Sequence, residues 1–228
     1  MNQFETRMLE ASELRAEPAA KNEPLTIKGY AATFNSVAKL PSFRERFMPG
    51  AFTRAIDERH DVVCLFNHDP GNVLGRTSSG TLKLKQDDKG LAFTCVLPET
   101  RTAQDLHESI RRGDINGCSL AFMVPEDGSE WSEGSDNGEF FVLRSISDVD
   151  LKDVSPVTYP AYSGTSIAAR CVEAPVELRS AVDAKNGVTD ETRAWKQQAN
   201  ERLRKLQLDR CAEIEAELSK PVGHGASF

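Results

Sequence analysis

A serine hydroxyl, a histidine ring and a group of acids stand where a hydrolytic relay could be assembled. His68 follows the apolar run Val62-Val63-Cys64-Leu65-Phe66 and precedes Asp69-Pro70-Gly71. A histidine at the end of an apolar strand, at the mouth of a loop, can reach a substrate. Ser119 lies in Asn116-Gly117-Cys118-Ser119-Leu120-Ala121-Phe122. Side chains alternate along an extended strand, so Ser119, Ala121 and Met123 share one face and Cys118, Leu120 and Phe122 the other. Gly117 lets a second backbone or a substrate come close. Asp148, Asp150 and Asp153 precede Val154-Ser155-Pro156. A nucleophilic serine needs a base, and the base needs an acceptor that orients it and stabilises the imidazolium. Bland readings stand beside these: a structural histidine at a strand end, and a strand serine bonding a carbonyl. The order His, Ser, acid neither supports nor excludes a triad, because triads occur in several orders on unrelated folds.

Other chemistries have weaker footing. Ser119 sits in Gly-Cys-Ser-Leu-Ala rather than a GxSxG elbow, and no HExxH, Walker or dinucleotide-binding pattern is present. The four histidines show no tight ligand spacing, so a metal held by His60 and His68 with Asp61 or Asp69 is a minor alternative. No cofactor is expected. Cys118 neighbours Ser119 and is a second candidate nucleophile, but its apolar face points to a buried thiol. Five cysteines, an odd number without a CxxC pair, argue against a disulfide framework or a zinc ribbon and for a reducing compartment.

These residues need a scaffold, and 228 residues suit one ordinary domain with tails. Hydrophobic residues at 39% and charged residues at 28% give a globular balance. A net charge of -7 argues against nucleic acid as a partner. No run approaches the ~18 apolar residues of a membrane span. The start Met1-Asn2-Gln3-Phe4-Glu5 lacks the pattern of a signal peptide. The expectation is a cytoplasmic protein without a membrane partner.

Along the chain, residues 1–24 read as a flexible leader and structure is expected from Leu25. Leu25 to Tyr30 alternates as a strand, and Val62 to Phe66 is a buried one. Leu82 and Leu84, the turn Asp87-Asp88-Lys89-Gly90, and Leu91, Phe93, Cys95 and Leu97 spell a hairpin. Ala103, Leu106, His107 and Ile110 fall at helical spacing, with Thr102 and Asp105 resembling a capping box at the start and Gly113 after the end. The Phe43–Glu58 region offers a second helix. Glu126 to Gly138 reads as a mobile surface loop, and Phe140 to Leu151 as a strand. Pro156 and Pro160 place Val154–Tyr162 at a sheet edge or a strand end. Residues 171–190 read as a linker, 191–219 as an amphipathic helix with Trp195, Leu203, Leu206 and Ile214 on its stripe, and 220–228 as a tail. So many short strands favour closure into an antiparallel barrel, which removes exposed edges.

The chain resembles the prohead proteases of tailed phages, related in fold to the herpesvirus capsid-maturation proteases, from about Gly29 to Ala169. The markers run in order. They are Gly29-Tyr30-Ala31, Glu45 to Phe52, Leu65-Phe66-Asn67-His68-Asp69, Leu74-Gly75-Arg76, Gly90-Leu91, Gly113 to Phe122, and Asp150 to Tyr162. The resemblance implies a mainly β fold with flanking helices (α+β), an antiparallel β-barrel of the herpesvirus-protease type plus a C-terminal helix, with residues 25–170 as the protease domain. It puts the nucleophile on Ser119 and the base on His68. An acid is common in relatives at the position of Asp153, with Asp148 and Asp150 as alternatives. The herpesvirus branch uses a second histidine, but no histidine stands between Ser119 and His224 here. Relatives often carry Gly where this chain has Ala121.

The same resemblance implies a serine endopeptidase acting on scaffold and on the scaffold segment of the major capsid protein, and on its own tails. It implies host cytoplasm, inside the assembling prohead, and a homodimer. The rival readings are a catalytically inactive β-barrel assembly factor and a hydrolase using Cys118 with His68.

Overall fold

The computed structural model describes residues 5–9, 13–17, 23–40, 42–158, 174–189 and 198. In chain order the described elements begin with β1 (Glu5–Leu9), β2 (Arg15–Glu17), β3 (Thr26–Thr33), β4 (Ala38–Lys39), β5 (Arg44–Phe47) and α1 (Thr53–Asp57). Then come β6 (Val63–Phe66), β7 (Asp69–Arg76), β8 (Leu82–Gln86), β9 (Gly90–Val96), α2 (Arg101–Arg112) and β10 (Gly117–Met123). The last are β11 (Ser129–Asp136), β12 (Glu139–Ile146), β13 (Asp150–Val157) and α3 (Val176–Lys185). The chain divides into two compact units, residues 1–179 and 180–228, with the boundary inside α3. No described helix is long and apolar enough to cross a membrane.

The protein is mainly β, with few helices. Its strands form three sheets, ordered β1-β10-β13-β6-β7, β11-β12-β5-β4 and β2-β3-β9-β8. Among the described residues the pairing does not close into one barrel. Two of the edge strands, β2 and β4, are only three and two residues long, one of the ways natural sheets blunt an edge. The sheets share one core, in which Phe47 meets Phe52 and Phe122 at ring distances of 5.1 and 5.3 Å.

The strongest local patterns give the expected elements. In the β8–β9 hairpin Leu82, Leu91, Phe93 and Cys95 are buried while the intervening residues face outward. In α2 the buried residues are Ala103, Leu106, His107 and Ile110, as the helical spacing predicts. Its cap is Thr100, whose Oγ1 accepts from the Ala103 amide, rather than Thr102. Gly113 ends it at φ 82°, a left-handed conformation that suits glycine.

The leader reading is corrected: β1 pairs antiparallel with β10, and β2 with β3. The signal was hidden because the inward positions of β1 are Glu5 and Arg7, both buried. Glu13 also packs on β3, where a Cβ at Gly29 would lie 2.6 Å from its carbonyl oxygen. The Phe43–Glu58 region yields only the short α1, because Arg44–Phe47 pairs in parallel with β12. Glu126–Gly138 is no mobile loop but largely β11, hairpinned to β12 through Asn137 and Gly138 at φ 51° and 85°. An Asn-Gly pair with positive φ at both residues is a hairpin signal that the polar composition masked. β13 is a central strand, not an edge; Pro156 lies one residue from its end, beyond the Asp153 and Val154 positions paired with β6. Residues 171–190, read as a linker, contain α3. The C-terminal helix expected over 191–219 falls outside the described residues except for Gln198.

Candidate active site

Three adjacent strands carry the chemistry. β10 and β13 pair antiparallel with Ser119 opposite Ser155 and Ala121 opposite Asp153, so these four residues share one face. β6 runs parallel to β13 and delivers the β6–β7 turn to the same region. That turn is Asn67-His68, between the paired residues Phe66 and Asp69. Both central residues have positive φ, 56° and 57°, the signature of a type I′ hairpin turn. Asparagine accepts this conformation readily; for histidine it is uncommon and costs about 1 kcal/mol. Such strain is held only where neighbours over-determine it. Here the Asn67 amide N–H donates to the Pro156 carbonyl at 3.0 Å, and its side chain exchanges two bonds with Thr158. On the far side, Pro70–Asn72 bulges from the ladder, and Asp69 holds the bulge through the Gly71 amide and the Asn72 side chain.

This framework aims the His68 ring between two partners. Its Nδ1 lies 2.7 Å from Asp153 Oδ1 and its Nε2 lies 2.7 Å from Ser119 Oγ. The ring therefore bridges a carboxylate and a hydroxyl. That is the arrangement in which imidazole can take a hydroxyl proton while the carboxylate fixes the tautomer. Asp153 Oδ1 also accepts from Ser155 Oγ at 2.7 Å. Ser119 is only 3% exposed and Asp153 only 7%, whereas the His68 side chain keeps 24%. Low local polarity strengthens each of these bonds.

Asp148 and Asp150 are elsewhere. Both pair with Arg54, at 2.7 and 2.6 Å, and their hydrogen bonds hold its guanidinium pKa above the ordinary value. Cys118 is buried on the opposite face of β10, among Leu120, Phe122 and Cys64. Burial pushes its thiol up to about 12, so it stays protonated at neutral pH. His60 faces Glu58 and Asp150 at 3.3 and 4.0 Å and is no member of the His68 chain of bonds. Among the described residues no group of three or more His, Cys, Asp or Glu side chains is placed to hold a metal ion.

The sequence reading passed over three residues that complete the site. Asn67 ties the turn to β13, and the positive-φ tendency of Asn after a strand is the signal that could have found it. Ser155 orients the carboxylate; its spacing two residues after Asp153 puts both on one face of β13. Arg7 had no readable signal, because its contacts come from residues remote in sequence. Its carbonyl oxygen accepts from Ser119 Oγ at 3.0 Å.

A family model described as caudovirus prohead serine protease matches residues 10–177. Among solved structures, the capsid assembly protease of bacteriophage T4 is similar at 14% identity, over 69% of this chain and 98% of that chain, with a TM-score of 0.45. No curated protein matches. With the model spanning most of the chain, including all three residues of the hydrogen-bonded set, the chain belongs to the caudovirus prohead serine protease family.

Proposed function

We propose that the protein is a serine endopeptidase in which Ser119 is the nucleophile, His68 the general base and Asp153 the acid that orients it. One observation carries this reading: the unbroken chain Asp153 Oδ1 to His68 Nδ1, and His68 Nε2 to Ser119 Oγ, each 2.7 Å. His68 takes the Ser119 proton as Oγ attacks a peptide carbonyl, then returns it to the leaving amine. Asp153 accepts the other ring N–H and stabilises the imidazolium throughout. The fixed turn of Asn67 and His68 pre-positions the base, so little reorganisation is left to the reaction.

The substrates are scaffold protein and the scaffold segment of the major capsid protein, cleaved inside the assembling prohead, together with the enzyme's own tails. The protease domain is residues 25–170 with the N-terminal strands added to it. In this reading the three sheets around one core are an opened form of the herpesvirus-type barrel, and the assembly is a homodimer. The 191–219 helix docks the enzyme within the shell.

Intact mass followed over time, for wild type and Ser119→Ala, each alone and with purified capsid protein, tests the proposal. Discrete fragments in wild type only are expected. Identical fragments in both would remove Ser119 from the mechanism. Intact protein in both, capsid protein included, would favour the inactive assembly factor.

A further inference from the structure

A glycine in β7 opens a notch in the sheet that carries the candidate site. Gly75 stands directly opposite Cys64 of β6, and both are buried. A Cβ at Gly75 would lie 2.6 Å from Cys95 Sγ, so that sulfur fills the space a side chain there would need. Cys95 belongs to β9, in a different sheet. Directly opposed residues of an antiparallel pair hold their Cβ positions about 4.5–5.5 Å apart. The notch therefore sets the Cys95 sulfur beside the Cys64 side chain. Cys95 donates its thiol to the Leu74 carbonyl at 3.5 Å, which keeps it there. Both are free thiols with no exposed surface. Cys118 is out of reach, because β13 separates β10 from β6. Two interstrand spacings are about 9–10 Å, beyond the roughly 4.4–6.8 Å between the Cα atoms of a disulfide.

Resting on the serine protease reading, we infer that Cys64 and Cys95 are a modification site for hydroperoxides, and that their disulfide ties β6 to β9 and silences the active site. One sulfur attacks a peroxide oxygen and breaks the O–O bond, giving a sulfenic acid and water. The other sulfur attacks the sulfenic sulfur, and the expelled hydroxide leaves as water with the second thiol's proton. Both sulfurs are oxidised and the peroxide is reduced, so two thiols and one hydrogen peroxide become one disulfide and two waters. The hydrogen bond with Cys95, and then burial, push the Cys64 thiol well above its ordinary value. The first step is therefore slow, and brief exposure leaves the pair reduced.

The new bond acts on the site through β6. Cys64 lies four residues before His68 in the chain and pairs across to Val154, the neighbour of Asp153. Bonded sulfurs stand about 2.05 Å apart, much closer than hydrogen-bonded thiols, so closure must draw β6 and β9 together by on the order of 1 Å. The turn has little slack to absorb this, because Asn67 is tied to Pro156 and Thr158 at its other end. A misplacement of about 1 Å can cost about a hundredfold in rate when it takes a reacting group out of line.

The test uses the full-length chain, treated with hydrogen peroxide, cleared of oxidant and read twice. Intact mass and proteolytic mapping report the cross-link, expected as a loss of two hydrogens in a fragment pair joining Cys64 to Cys95. Fluorophosphonate labelling of Ser119 reports the site. It should be at least about tenfold slower in the cross-linked protein and recover with dithiothreitol. Cys95→Ala and Cys64→Ala each remove one partner. Thermal melts show which is folded, and that variant should label at the wild-type rate before and after peroxide. Peroxide treatment that leaves the two unlinked, as sulfinic acids or joined to Cys118, Cys171 or Cys211, would overturn the pairing. A Cys64–Cys95 link with unchanged labelling would overturn the silencing, as would equal slowing in the folded variant. No labelling of the reduced wild type, or labelling that survives Ser119→Ala, would sink the protease reading, while mass still decides the cross-link.

Discussion

Ser155 donates its hydroxyl proton to the same Asp153 oxygen, Oδ1, that faces His68 Nδ1, both at 2.7 Å. Ser155 is fully buried and stands opposite Ser119 in the ladder. It touches no reacting atom and acts through Asp153, fixing the carboxylate plane that in turn fixes the ring. Ser155→Ala should lower kcat on the order of ten- to a hundredfold, by analogy with lost outer-shell partners and small misplacements elsewhere. KM should hardly move, and the acid limb of the pH–rate profile should shift. A change in KM alone would mean that Ser155 serves peptide binding instead.

The choice among three acids is settled by kinetics. Asn at position 153 can donate to His68 Nδ1, which forces the proton onto Nε2, the atom that must receive it from Ser119. Asp153→Asn should therefore cost about 10⁴ in kcat while the fold persists. Asp148→Asn and Asp150→Asn remove one bond each from a partly exposed Arg54. Such surface pairs contribute only about 0–1 kcal/mol, so both variants should keep full activity and nearly the same melting temperature. Activity lost at Asp148 or Asp150 but kept at Asp153 would reverse the assignment.

Much of the site was legible before any coordinates, for physical reasons. The faces of β10 followed from strict two-residue alternation, which put Ser119 opposite the buried face of Cys118 and Leu120. His68 was placed by the end of an apolar strand, though its turn geometry was not, because Asn-His carries a weaker signal than Asn-Gly. Spacing alone left Asp148, Asp150 and Asp153 open; only the pairing of Ala121 with Asp153 puts one of them under the ring. β1 was illegible because its inward residues are charged. A pattern reader scores Glu5 and Arg7 as solvent-facing, while their partners Glu45 and Arg144 lie 38 to 139 residues away in the chain. β11 failed for a related reason: as an edge strand it is mostly exposed, so nothing selects apolar residues on it.

The four buried charges should behave as a unit. Burial alone pushes the Arg7 pKa down, but Glu45 and Glu5 more than offset it, and the guanidinium ends above its ordinary value. Removing one member leaves a buried charge of the opposite sign. Glu45→Gln or Arg144→Met should destabilise the fold by about 3–5 kcal/mol, a fall in melting temperature on the order of 10 °C for a chain of this size. Replacing all four with well-packed apolar residues should cost far less, because the desolvation penalty goes with the charges. Calorimetry on the single and quadruple variants checks this. A single variant within about 1 kcal/mol of wild type would show the set to be wet and weakly coupled.

Cys118 supplies the sharpest contrast with its neighbour. It adjoins Ser119 in sequence but lies on the other face of β10, with burial pushing its thiol from the ordinary 9.0 up to about 12. The thiolate is the reactive form, so iodoacetamide at pH 8 should leave Cys118 unmodified in the folded protein, and Cys118→Ala should keep peptidase activity. The same shift makes stability depend on pH with a fixed sign. In the unfolded chain the thiol ionises near its ordinary value, while the folded state holds the proton until about 12. The contribution is therefore complete below pH 9 and is lost as pH rises from 9 toward 12. Urea unfolding of wild type should weaken more steeply over pH 8 to 11 than that of Cys118→Ala, on top of a constant offset from the lost side-chain volume. Parallel pH slopes, or rapid alkylation of the native protein with loss of activity, would mean that the thiol reaches solvent and that the Cys118–His68 reading has to be reopened.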